Sequence, residues 1–274
     1  MTQKKSEHPP DADYVVERRK GTRIDNAPPD LYDPNEPRLG RRESEPHAAE
    51  VTYLHDVLTT NFPSGRAVWD LHHYFLGTKG VLKGEKIDIQ FDVSFFKDFK
   101  ISHTLSSYKA RDHEGRIPDF AFNVLSKSTW RNDLSENVDK CKNLSIPVYA
   151  VFSPYKVTSR LYHPPFLRVF ILQDNETYEE KELRAITLEE GGAIIEKNII
   201  NLHDKLPFSL GLMRLKQLHE GKQSLYRLIL INPSTLEVFP IRLEKKDKTI
   251  EEKDKTIDEK DQTIERLKAQ LKLK

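Results

Sequence analysis

The segment from Pro118 to Pro154 constrains the fold more than any other part of the chain. Phe120, Phe122 and Val124 alternate with smaller side chains, a pattern that predicts a strand. The run NDLSENVDKCKNLSI then has helical spacing, and PVYAVFSP is a near-continuous apolar run typical of a buried strand. A strand, a helix of about a dozen residues and a buried strand together predict a βαβ crossover within an α/β fold.

Two polar residues stand inside apolar, strand-like runs. Asp92 lies in IQFDVSFF and Asn123 lies in PDFAFNVLS. Two antiparallel or crossing strands that each place an oxygen ligand at one rim form the kind of site that binds Mg²⁺ with water and a substrate phosphate. A cation from the following helix would stabilise the transition-state charge. The alternative is that Asn123 is a hydrogen-bonded core amide that pairs with Asp92.

The composition excludes several classes of protein. The 274 residues include 44 basic and 43 acidic side chains, so the net charge of +1 gives no global evidence for nucleic-acid binding. The single cysteine, Cys141, excludes an internal disulfide framework and a cysteine-rich zinc site. No run reaches the ~18 apolar residues of a membrane span, and MTQKKSEHPPDAD lacks the apolar core of a secretory signal. The expectation is a cytoplasmic protein without membrane contact.

Three regions differ in character. Residues 1–45 are rich in proline and charge and predict an extended or disordered arm. Residues 46–240 have the apolar patterning of a globular domain, and residues 241–274 form a charged repeat. The sequence therefore predicts one α/β domain with an appendage at each end.

The C-terminal region repeats every seven residues. Apolar residues recur at one position of the repeat: Ile250, Ile257, Ile264 and Leu271. The position three residues later is polar until the last repeat: Lys253, Lys260 and Leu267. One apolar stripe predicts a coiled-coil helix that forms a homodimer or binds a partner through residues 244–271. The alternative is a single solvated helix held by pairs such as Glu244–Lys248.

Two segments, FDVSFF and PDFAFNVLSKSTWRNDLSENVDKCKNLSIPVYAVFSP, resemble the Uma-two family of proposed restriction endonucleases. The most specific part is the triplet VLS at residues 124–126, followed by Ser128, Thr129 and then Asp133. The resemblance extends over residues 46–240, and the charged tail is similar to tails of family members. It implies the PD-(D/E)XK nuclease fold: a restriction-endonuclease-like mixed sheet flanked by helices, here with a C-terminal heptad-repeat helix.

The resemblance also implies roles for individual residues. The family's metal-binding aspartate falls on Asp92, and its second acidic ligand, normally a glutamate, falls on Asn123. The catalytic lysine falls on Asn137, and the backbone carbonyl of Val124 matches a position that helps to hold the metal. His47 matches a histidine common at the start of the first helix. Asparagine can bind Mg²⁺ through its oxygen but is neutral and cannot act as a base, so the resemblance implies a degenerate site.

Other residues are candidates to restore the missing charges. Lys140 lies three residues beyond Asn137 on the same helical face, and Lys127 and Lys142 would need backbone rearrangement to reach back. Asp119 is a possible replacement carboxylate, but four strand residues span ~13 Å, so it cannot take the place of Asn123 without a change of register.

Structural roles are the simpler expectation for several further residues. His47, at a helix start, is expected to be solvated or to cap the helix. The helix that follows residue 129 is expected to be capped by Ser126, Ser128 and Thr129 with Asp133, a simpler role for them than that of nucleophiles. His72 and His73 are adjacent in a predicted strand, so they should point to opposite faces and not share a metal ion.

Two functions remain open from the sequence. The first is a nuclease-fold binding or assembly module with impaired catalysis, which is dimerised by its tail and retains a groove for DNA or a protein partner. The second is an active DNA endonuclease that depends on Mg²⁺ or Mn²⁺. In that case Asp92, Asn123 and the backbone carbonyl of Val124 would bind the metal. Lys140 would act with Asp92 and Asn123 in a rearranged catalytic site that also includes Asn137.

Overall fold

The computed structural model describes residues 45–126, 129–155, 162–218 and 224–272, without the side chains of residues 81, 217, 218, 265, 267 and 269–272. The predicted N-terminal arm lies outside the described residues, apart from residue 45. The side chains of residues 267 and 271 in the predicted heptad stripe also lie outside them.

A mixed seven-stranded sheet forms the centre of the domain. Its strands follow the order β3-β1-β2-β4-β5-β6-β7, and parallel pairs (β1 with β3, β4 with β5) stand among antiparallel ones. The strands are β1 (Arg66–Leu76), β2 (Lys86–Phe96), β3 (Tyr108–Lys109), β4 (Phe120–Val124), β5 (Val148–Ser153), β6 (Phe166–Leu172) and β7 (Tyr178–Leu183). The predicted α/β class with a mixed sheet is confirmed.

The βαβ crossover predicted from the sequence is present. Strands β4 and β5 pair in parallel, and the chain between them forms helices α2 (Trp130–Asp133) and α3 (Glu136–Leu144). Helix α3 buries Cys141 and Leu144 against the sheet. It ends where Ser145 adopts a left-handed conformation (φ 61°), so the chain reverses into β5.

The two faces of the sheet carry separate apolar cores. One core contains α1 (Glu45–Asn61), and its sheet residues include Phe120, Phe122 and Val124 of β4. The other contains α3, and its sheet residues include Ala121 of β4. Alternation along β4 therefore directs Asn123 to the face that α3 covers.

Strand β2 changes face at Asp92. Ile89 and Phe91 belong to the α3-side core, whereas Val93 and Phe95 belong to the α1-side core. Since residues two apart on a regular strand share a face, the alternation must shift at Asp92. Neighbouring β1 shifts opposite this point, at Asp70, which has a positive φ of 47°.

A smaller sheet completes the α1-side core. It has the order β10-β9-β8, with β8 (Leu188–Glu189), β9 (Ser209–Leu218) and β10 (Ser224–Ile231). Short 3₁₀ turns occur at Gly80–Leu82, Ala110–His113 and Glu196–Asn198. Helix α4 (Arg242–Lys272) follows the smaller sheet. None of the helices in the described ranges has an apolar stretch long enough to cross a membrane.

Phe208 joins the two sheets, so its removal should destabilise the whole domain. Its ring is fully buried and lies 5.5 Å from Phe120 and 6.3 Å from Phe95, measured between ring centroids. We expect Phe208→Ala to lower the free energy of unfolding by about 3–5 kcal/mol, measured by chemical denaturation. Ile195→Ala, at a position that is 41% exposed, is the control and should change it by about 0.5 kcal/mol or less. Equal effects of the two variants would contradict this role.

Candidate functional site

The site begins where β2 and β4 separate. Their backbone pairing ends at Val93 and Phe122. Beyond that pair, side chains replace the ladder: the Asp92 amide N–H donates to Asn123 Oδ1 (3.2 Å), and the Val124 amide N–H donates to Asp92 Oδ2 (2.6 Å). Both predicted metal-binding positions therefore lie together at one rim, as the sequence indicates, and each satisfies a backbone group of the other strand.

Helix α1 reaches the same carboxylate. His47 Nε2 lies 3.2 Å from Asp92 Oδ2, and His47 is only 4% exposed. The expectation that His47 is solvated is wrong, because tertiary packing draws the first turn of α1 onto the rim of the sheet. A capping role stays a prediction, since the residues before α1 lie outside the described ranges. Asp92 itself keeps 18% of its side chain exposed.

Asp133 is the buried centre of the site. Asn123 Nδ2 and Asn137 Nδ2 both donate to Asp133 Oδ1, at 2.8 and 3.0 Å. The Tyr149 hydroxyl donates to the Asp133 backbone carbonyl (3.0 Å). Asp133 is 3% exposed. The expectation that Asp133 caps the helix is wrong, and neither α2 nor α3 has a side-chain hydrogen bond at its N-cap.

Burial, together with the nearby Asp92 carboxylate, raises the pKa of the Asp133 carboxyl to about 6. Hydrogen bonds from Asn123, Thr129 and Asn137 oppose this rise without cancelling it. Asp133 Oδ2 is buried and has no hydrogen-bond partner among the described residues. A proton on Oδ2 would leave both amide hydrogen bonds to Oδ1 in place.

Lys140 does not join this network in the described contacts. Its Nζ contacts the Glu136 carboxylate (2.7 Å) and the Asp88 backbone carbonyl (3.1 Å). Asp119 is likewise engaged elsewhere, where Arg116 donates to its Oδ2 at 2.7 Å. The role of Lys140 as a replacement cation, and the role that the resemblance gives the Val124 carbonyl as a metal ligand, stay predictions.

The histidine pair behaves as the strand pattern predicts. His73 is fully buried, where its Nδ1 donates to the Leu71 carbonyl and its Nε2 accepts from Ser94. Burial lowers the pKa of His73 to about 4, so it stays neutral. His72 points the other way, and its Nδ1 lies 2.9 Å from Asp88.

The residues around Asp92 do not fit a divalent metal in this arrangement. Within the described ranges, no three His, Cys, Asp or Glu side chains come together in a group able to hold a metal ion. Asp92 Oδ2 already accepts from His47 and Val124, and Asp133 Oδ1 already accepts from two amides. Amide N–H groups thus stand where Mg²⁺ would need free oxygen ligands.

Asp133 is the site residue that the sequence reasoning missed. Its signal is the spacing of four residues to Asn137, which puts two polar side chains on one helical face. The chain between them forms a short helix, a turn and a second helix, and the spacing still brings Asn137 Nδ2 to Asp133.

Among known proteins, similarity to this chain is found at the level of solved structures. No protein-family model matches the chain, and no curated protein matches it. Among solved structures, the chain is similar to a crystal structure described as a "putative nuclease belonging to DUF820" from Anabaena variabilis. The TM-score is 0.38 and the identity 14%, over 53% of this chain and 70% of that chain.

The raised pKa of Asp133 predicts a specific dependence of stability on pH. The folded protein holds this proton up to about pH 6, whereas the ordinary value is 3.8, so the stability it contributes is present below pH 4 and is lost as pH rises through 6. As pH rises through this window, we expect the free energy of unfolding of wild type to fall by on the order of 2 kcal/mol. Asp133→Asn should not show this fall.

Chemical denaturation between pH 4 and 7.5 measures this loss. Burial also raises the pKa of Glu50, to about 7. Glu50 titrates in both wild type and Asp133→Asn, so the difference between them isolates Asp133. As a control, Glu50→Gln should still show the fall in the free energy of unfolding that Asp133 causes. Parallel curves for wild type and Asp133→Asn would contradict the assignment.

Proposed function

We propose that this chain is a nuclease-fold protein with an impaired catalytic site that acts as a binding or assembly module. The observation that supports the proposal most is the pair of amides on Asp133 Oδ1, from Asn123 and Asn137. Under the family resemblance, these two positions belong to an acid and a lysine that act on a substrate. Here both side chains instead hold a buried carboxylate of the protein itself.

The electrostatics support the same conclusion. Phosphodiester hydrolysis needs charge that stabilises the transition state, usually from a metal ion or a positioned cation. Asp92 is committed to a backbone amide and to His47, and Lys140 is committed to Glu136 and Asp88. This leaves a rim held together by internal hydrogen bonds, which suits a scaffold better than a reaction centre.

The resemblance makes DNA the candidate ligand of this module, with a protein partner as the alternative. We further propose that residues 244–271 associate with a second copy or a partner, since the stripe of isoleucines at 250, 257 and 264 is about half exposed. A cytoplasmic location is part of the same proposal.

An active nuclease is the second candidate, and one contact favours it. The Lys140 side chain reaches from α3 to the Asp88 carbonyl on β2, the strand that carries Asp92. A change of side-chain conformation that released Asp88 and Glu136 would bring a cation toward the rim. In that case Mg²⁺ or Mn²⁺ would be the cofactor and Lys140→Met would abolish cleavage.

Cleavage assays separate the two candidates. With Mg²⁺ or Mn²⁺, we expect the full chain to leave plasmid and single-stranded DNA uncut. Its residual signal should equal that of the control variant Asp92→Asn, which keeps the size of the side chain. Cleavage by wild type that disappears in both Asp92→Asn and Lys140→Met would overturn the impaired-site proposal and support the rearranged nuclease.

Restoring the family residues tests the mapping itself. We expect Asn123→Glu with Asn137→Lys to bind Mg²⁺, measured by titration calorimetry, because a second carboxylate would stand beside Asp92 and a cation beside Asp133. Asn123→Gln with Asn137→Gln is the control, since it keeps two amides, and should bind no Mg²⁺. If the restored variant is folded by circular dichroism yet binds no more Mg²⁺ than the control, the mapping of these positions onto a metal site is wrong.

A further inference from the structure

Helix α4 carries an apolar stripe that the domain does not cover. We call Leu243, Ile250, Ile257 and Ile264 the Ile stripe, and they are 63%, 55%, 55% and 47% exposed. They recur every seventh residue, so they lie close to one line along the helix. An exposed apolar line on an otherwise charged helix needs a partner to become stable.

Opposite charges flank this line on its two sides. Lys246, Lys253 and Lys260 form the Lys stripe, three residues after each of the first three members of the Ile stripe, and Leu267 takes this position after Ile264. Asp247, Asp254 and Asp261 form the Asp stripe, one residue further along. With ~100° per residue, the two stripes lie roughly 40–60° to either side of the Ile stripe. All six residues are exposed.

Neither charged stripe has a partner within its own helix. Three and four positions before and after Lys253, the helix carries only threonine and isoleucine. At the same distances from Asp254 it carries isoleucine and acidic residues. Pairs with the right spacing and sign occur elsewhere on the helix, such as Glu251 with Lys255. In the described part of the chain, no ion pair involves either stripe.

The start of α4 is fixed to the domain, so the direction of the helix is defined. The Arg242 amide donates to Asp56 on α1 (3.0 Å), and Lys245 Nζ donates to the Thr60 carbonyl (3.2 Å). Asn61 Nδ2 donates to the Pro240 carbonyl just before the helix (2.8 Å).

We propose that α4 forms a parallel, in-register homodimer, an inference that rests on the proposed self-association of the tail. A two-fold axis parallel to the helices places the Lys stripe of one copy opposite the Asp stripe of the other, on both sides of the Ile stripe. An antiparallel dimer has its two-fold axis perpendicular to the helices. It places the Asp stripe of one copy opposite the Asp stripe of the other, and the Lys stripe opposite the Lys stripe. Charge complementarity therefore selects the parallel arrangement, and only the in-register pairing matches every isoleucine.

The parallel arrangement determines where the two domains lie. Each domain is attached at the N-terminal end of α4. A parallel dimer therefore brings two copies of the domain to the same end, whereas an antiparallel dimer would separate them by about the helix length, ~45 Å. The dimer thus presents two neighbouring rims, a suitable geometry for a two-fold symmetric partner.

Single-cysteine variants of the full chain test the orientation. In a parallel dimer, Ile250→Cys lies opposite itself and should form a disulfide dimer in a thiol redox buffer, at least ten-fold more than Glu252→Cys on the outer face. In an antiparallel dimer centred on Ile257, position 250 lies opposite position 264. Cys141 is buried and common to every variant. Non-reducing electrophoresis and mass spectrometry give the readout.

Each outcome decides a different point. Disulfide formation by Ile250→Cys alone and by Ile264→Cys alone supports the parallel dimer. Disulfides that form only in a mixture of the two variants overturn it in favour of an antiparallel dimer. A monomeric mass of wild type in solution, with no cross-link above the Glu252→Cys level, overturns self-association altogether and leaves the impaired-site proposal unaffected.

Charge reversal tests the cause of the orientation. Changing the three residues of the Lys stripe to glutamate should raise the dimer dissociation constant at least ten-fold, measured by sedimentation, without breaking any helix-internal pair. Mixing that variant with one whose Asp stripe is changed to lysine should restore association, because every flank then meets the opposite charge. If the reversed variant dimerises as tightly as wild type, the charged stripes do not select the arrangement.

Discussion

The hydrogen bond from the Val124 amide to the Asp92 carboxylate marks the point on which the rest of the site depends. It forms where β2 and β4 stop pairing through their backbones, so a side chain must satisfy the amide that the ladder leaves open. The same carboxylate receives His47 from α1, and the adjacent Asn123 amide leads to Asp133. One break in a β-ladder thereby ties both faces of the sheet together through polar groups. This use of Asp92 is structural, and it competes directly with metal binding for the same oxygen.

The two asparagines make electrostatic sense as a pair. Under the family resemblance, a glutamate and a lysine would stand at positions 123 and 137, with a net charge of zero between them. Replacing only the lysine would leave two carboxylates, at positions 123 and 133, with no cation between them, which is costly in a low-dielectric environment. Replacing both keeps the net charge unchanged, and each amide can donate to Asp133. Under the proposed degenerate site, the two asparagines therefore preserve the charge balance around Asp133, whose buried carboxyl has a raised pKa.

Local patterns predicted the elements of the sheet, but not the way the chain turns at the site. Apolar residues alternate without interruption from Ile87 to Phe95, which predicts one continuous face. The structure divides them between two cores, because the strand pair twists where Asp70 adopts a left-handed conformation opposite Asp92. The periodicity of the sequence shows which residues are apolar, but it does not reveal such a change of face. The burial of His47 and Asp133 is equally invisible in the sequence, since residues distant along the chain cover them.

The tail illustrates how specificity and stability can be assigned to different residues. A single isoleucine per heptad buries less apolar surface than the two core positions of an ordinary coiled coil, so the apolar contribution to association is modest. Charges at the flanks add little stability at an exposed surface, but they impose a large penalty on the arrangement in which like charges face each other. Under the proposed dimer, a weak apolar line with strongly patterned flanks would therefore associate in one orientation and at a concentration-dependent level. Dimerisation of that kind would couple the pairing of the two rims to the amount of protein present.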